Sequence, residues 1–113
     1  MTPAHQAAQL WPDAHARVIQ SALLDRLTRM AYDAPEARLY CAIIASAAED
    51  IATHETHHPL YEAAMEYLDG ARLAEHCERA GLCVYYARRA VLGAGLVVGE
   101  VRRSLQRQES LAL

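Results

Sequence analysis

The chain has no phenylalanine and no lysine, and its 113 residues include only five glycines, four prolines and three cysteines. Each shortage excludes something. Cys41, Cys77 and Cys83 are odd in number and form no C-x-x-C pair, so there is no even disulfide framework; they read as small buried thiols in a reducing cytosol. Met1-Thr2-Pro3-Ala4-His5 lacks the basic and apolar regions of a secretory signal, and a cytoplasmic protein is expected. No uncharged run exceeds twelve residues, and the most apolar, residues 90–99, lies between Arg88-Arg89 and Glu100. A bilayer span needs about twenty apolar residues, so no membrane partner is expected. The missing lysines are read as GC-rich coding bias. Their physical consequence is mild: all eleven basic residues carry the forked, stackable guanidinium.

What is abundant is alanine, at 23 positions. Alanine is the best helix former and a poor strand former, and the length suits one domain with its own core. The expectation is an all-α fold, a single helical domain over residues 1–113: a compact bundle of about four main helices plus one or two short ones.

Punctuation divides the chain. Thr2-Pro3 opens a short helix that Trp11-Pro12 stops. A second helix follows Pro12 or Asp13, carries Ile19, Leu23, Leu27 and Met30 on one face, and ends near Tyr32. Asp33-Ala34-Pro35-Glu36 reads as an aspartate cap with a proline in the first turn and a glutamate reaching back. The helix it starts is expected from Pro35 to His57, with Tyr40, Ile43, Ile44, Ala47 and Ile51 as its stripe. Pro59 starts a shorter helix carrying Leu60, Ala64 and Leu68 and closing at Asp69-Gly70. Another runs from Ala71 to Ala80 and stops at Gly81. The last, from Leu82 to about Gln108, is apolar all round between Ala90 and Gly99. Gly93, Gly95 and Gly99 each cost about 1 kcal/mol relative to alanine there, which implies close approach by a neighbouring helix, in the same chain or in a second subunit. A strand over residues 96–101 competes, because of the β-branched content.

Three constellations carry chemistry. His54-Glu55-Thr56-His57-His58 fits H-E-x-x-H, which sets two zinc-binding imidazoles one helical turn apart. Pro59 pushes His58 out of the α region, so the stretch reads instead as a polar helix end whose histidines meet the helix dipole. If a metal binds, zinc is the cofactor the sequence admits and His54, His58 and Glu62 are its ligands; otherwise no cofactor and no catalytic residue are expected. The second constellation is charge. Residues 1–70 hold four arginines against ten acids, residues 71–113 seven against four. Leu73-Ala74-Glu75-His76-Cys77, then Tyr85-Tyr86-Ala87-Arg88-Arg89-Ala90 and Gly95-Leu96-Val97, has the look of a winged helix-turn-helix. In that reading Arg88 and Arg89 face nucleic acid and Val97 to Val101 form the wing.

The third is the C-terminal helix itself. Tyrosine and arginine beside small residues are the anchor types that interface cores favour. The function that best fits is a non-enzymatic module, acting as adaptor, inhibitor or regulatory subunit, that binds another protein. Tyr85, Tyr86, Arg88, Arg89, Arg102 and Arg103 are the partner-binding candidates. Leu92, Gly95, Leu96 and Gly99 are the candidates for self-association into a homodimer.

Overall fold

A computed structural model describes residues 17–18 and 20–112. Among them are five α-helices and no strand: α1, helical at 17–18 and 20–30, α2 (Pro35–Thr53), α3 (Pro59–Asp69), α4 (Ala71–Ala80) and α5 (Val84–Ala112). The all-α bundle is as the composition requires. The expected N-terminal helix and Ile19 lie outside the described residues. No single described helix is long and apolar enough to cross a membrane.

The short helices start and stop where local chemistry directs. Pro59 opens α3, and Gly81 closes α4 at φ 78°, the left-handed conformation glycine adopts without a Cβ penalty. The backbone amide of Tyr32 donates to the Ala80 carbonyl at 2.8 Å, tying the α1–α2 turn to the end of α4. The start of α2 differs from expectation. Ala34 is its N-cap with no side-chain hydrogen bond, and Asp33 instead pairs with Arg38 at 3.6 Å in solvent.

α2 is the central helix, packing chiefly on α5 and also on α4 and α3. Its buried seam is Ala37, Cys41, Ile44, Ala48 and Ile51. Tyr40 and Ile43, read as part of the stripe, lie at the margin instead, Ile43 being 38% exposed. Met30 and Leu60 are likewise about half exposed. The reason is volume. With no phenylalanine to fill space, eight buried alanines let the helices approach closely, and larger side chains are displaced to the edges.

Residues 96–101 are helical, so no wing strand forms. Ala87, Val91 and Val98 are buried at helical spacing on the same side of α5, a pattern with no strand equivalent.

Candidate functional site

Of the arginines on α5, two are occupied within the fold. Arg88 Nε donates to the Leu68 carbonyl at 2.7 Å, and Arg102 Nε to the Ala52 carbonyl at 3.0 Å. Both acceptors belong to the last turn of a helix, where carbonyls lack an intrahelical partner and the dipole favours a cation. Arg102 also pairs with Glu55 at 3.3 Å. Gln106, in the orientation that satisfies both neighbours, donates to Glu55 Oε1 at 3.3 Å and accepts from Arg102 Nη1 at 3.1 Å. Arg103 folds over Gly99, where a Cβ would lie 3.2 Å from its Nη1; that nitrogen is buried without a hydrogen-bond partner. Of these four Arg89 alone is exposed; the fifth arginine of α5, Arg107, is exposed as well and pairs with Glu100.

The three glycines separate in the same way. At Gly95 a Cβ would meet Ile51 at 2.9 Å and the Ala48 carbonyl at 3.1 Å; at Gly99 it would meet the Ile51 carbonyl at 3.3 Å as well as Arg103. These two serve the approach of α2 within the chain. At Gly93 a Cβ would meet nothing within 4 Å among the described residues. Leu92 and Tyr86 are half-buried against the core. What remains on the outer face of α5 is Tyr85 at 75% exposure, Arg89, Gly93, Leu96 at 39%, Val97 at 63% and Glu100. Beside it, Ala22, Leu23 and Arg26 of α1 face Ala90, Gly93, Ala94 and Val97 across a shallow, mainly apolar groove. Gly93, expected with Gly95 and Gly99 at a close helix approach, lies on the other side of α5 from Gly95, and Val97, expected only as part of a wing, lies beside Gly93.

The histidine cluster lies on a loop. α2 ends at Thr53, four residues short of the expected end; His54 is its extended C-cap, and its amide reaches back to the Asp50 carbonyl at 3.3 Å. His58 is extended, as a residue before proline must be, and its Nδ1 accepts from the Leu60 amide at 3.1 Å, capping α3. The two imidazoles stack with centroids 4.3 Å apart and planes 17° from parallel. The helical pitch that H-E-x-x-H requires is therefore absent, and Glu55 is engaged by Arg102. Among the described residues no three His, Cys, Asp or Glu side chains gather as a metal site would need.

One polar cluster was not legible in the sequence. Tyr67 Oη and His76 Nδ1 are hydrogen-bonded at 2.8 Å, Tyr40 lies against the His76 ring at 5.1 Å, and Arg79 stands over Tyr40 at 6.0 Å. Burial above all, and then the neighbouring Cys77, pushes the Tyr67 hydroxyl up to about 12 against the pull of Arg72. Burial likewise raises the thiols of Cys41 and Cys77, the latter to about 11, which disfavours the reactive thiolate. Cys83 is exposed, contrary to its place in an apolar run, because Leu82 takes the inward position at the α4–α5 turn. No protein-family model matches the chain, and neither a curated protein nor a solved structure is significantly similar to it.

Proposed function

We propose that the chain is a non-enzymatic interaction module that binds protein through the outer face of α5. The observation that carries this reading is the exposure of Tyr85, Leu96 and Val97 around Gly93, with Arg89 and Glu100 at either end. Large apolar side chains in solvent are ordinary singly, but a contiguous set rimmed by charge marks a contact surface. Arg88 and Arg102 support the fold behind that surface rather than touching the partner. Adaptor, inhibitor and regulatory subunit are all roles of such a module.

The test is site-specific photo-crosslinking in cells with benzoylphenylalanine at Val97 and, as a control, at the exposed Glu62. Adducts at 97 and none at 62 support the reading. Equal yields from both positions, or none from either, count against it.

A second reading has its own observation. α4 and α5 meet at 110° across a three-residue turn containing Gly81, the geometry of a helix-turn-helix. With no wing, Tyr85 and Arg89 would be the groove residues. The exposed acids Glu62, Glu66 and Asp69 of α3 and Glu75 and Glu78 of α4 weigh against a phosphate surface. Fluorescence anisotropy with duplex DNA at two salt concentrations separates the readings: a salt-dependent affinity lost in Arg89→Ala favours DNA.

A further inference from the structure

We infer that the occupant of the outer face of α5 is a second copy of this chain, its α5 running antiparallel about a two-fold axis between residues 94 and 95. The inference rests on the interaction-module reading and adds the partner and the register.

Two independent observations lead to it. Arg89, Gly93, Leu96 and Glu100 follow one another at spacings of four, three and four, which sets all four on one exposed face of α5. An antiparallel pairing centred between 94 and 95 sets Arg89 opposite the partner's Glu100, twice by symmetry, and Gly93 opposite the partner's Leu96. Other alignments lose this match. A parallel pair puts Arg89 on the partner's Arg89, and an antiparallel pair moved by one heptad puts it on the partner's Arg107 in one direction and on the partner's Gly93 in the other. Like charges set against each other reject the first two, and the third leaves Arg89 without an opposite charge.

The second observation is Gly93. Gly95 and Gly99 are explained by α2 beneath them, but among the described residues nothing comes within 4 Å of a Cβ built at Gly93. A glycine inside a helix costs about 1 kcal/mol relative to alanine, and no contact among the described residues offsets that cost. Opposite the partner's Leu96 it supplies the hole for that side chain. Glu100 already bridges Arg107 at 3.3 Å and Arg103 at 3.9 Å, so the partner's Arg89 completes an exposed network rather than meeting a bare carboxylate.

The experiment is sedimentation velocity on the full chain over micromolar concentrations, with Arg89→Glu and Glu100→Arg each alone and then mixed. Both residues are exposed, and circular dichroism checks that each variant folds. The wild type is expected to dimerise, each single reversal to weaken the dimer at least tenfold, and the mixture to form a one-to-one heterodimer in which both charge pairs are again opposite. A wild type that stays monomeric overturns the inference, as does a dimer indifferent to the reversals or a mixture that fails to recover. Photo-adducts at position 97 joined to a different protein, with a monomeric wild type, would leave the interaction module standing and remove only the second copy.

Discussion

Arg88 and Arg102 stand about four turns apart on α5 and perform one task at two places. Each Nε donates to an open carbonyl in the last turn of another helix, Leu68 of α3 at 2.7 Å and Ala52 of α2 at 3.0 Å. Helix ends are expensive to leave unsatisfied, and a guanidinium supplies both the hydrogen bond and the positive charge that the C-terminal dipole favours. The arginine-rich end of the chain is in good part a capping device.

Arg102→Ala should therefore destabilise the fold by about 1–3 kcal/mol, since a charge-assisted bond in a part-buried place is lost and Glu55 loses its partner. Arg88→Ala should cost a similar amount. Arg89→Ala should move monomer stability by no more than about 0.5 kcal/mol. Urea unfolding followed by circular dichroism compares the three, and equal effects at 88 and 89 would refute the division between capping and surface arginines.

Gly95→Ala should destabilise by about 1–3 kcal/mol despite the better helix propensity of alanine, because the new methyl meets Ile51 at 2.9 Å and the Ala48 carbonyl at 3.1 Å. Gly93→Ala should raise the stability of the isolated copy by up to about 1 kcal/mol, its Cβ entering open space. Thermal melts at low protein concentration, where association is absent, read both. Changes of the same sign would contradict the placement of the two glycines on opposite sides of α5.

Alkaline pH should unfold the protein earlier than its composition suggests. The ordinary value of the Cys77 thiol is 9.0 and burial holds it at about 11 in the fold; Tyr67 rises from 10.0 to about 12. The unfolded chain releases these protons first. The stability contributed by Cys77 is complete below pH 9 and is lost as pH rises toward 11, and that of Tyr67 follows one unit higher. The loss from Cys77 is on the order of 2 kcal/mol. Melting temperatures from pH 8 to 11 should fall, and Cys77→Ala, less stable at pH 8, should fall less steeply.

Removing the α3 cap through His58→Ala should cost about 1 kcal/mol. Zinc should leave the melting temperature of the wild type unchanged, because His58 Nδ1 is committed to the Leu60 amide and the two imidazoles stack instead of converging. A zinc-dependent rise of several degrees, abolished in His54→Ala, would restore the metal site.

Where the chain carries its own punctuation, the elements were legible. Ala71–Ala80 with its stop at Gly81, and the start at Pro59, follow from local backbone chemistry. The end of α2 was less so. Pro59 keeps His58 out of the helix but does not place its end at Thr53, and the cap on Ala52 comes from a residue 50 positions away. Spacing could mark Arg88 and Arg102 as flanking an apolar helix, but not say which faced a carbonyl. The glycines carried an unused signal: 95 and 99 share a face and 93 does not, so their roles had to differ. The Tyr67–His76 contact crosses the break at Gly70, where helical periodicity gives no guidance.

The long reach of the two arginine caps also bears on how the molecule is made. α3 leaves the ribosome 20 residues ahead of the side chain that closes its end, and α2 leaves 50 residues ahead. Neither helix has its arginine cap as it emerges, and the α2–α5 packing that dominates the core is equally non-local. The two caps and the α2–α5 packing are therefore completed only once the C-terminal helix has been made. Until then water satisfies the open carbonyls at those helix ends.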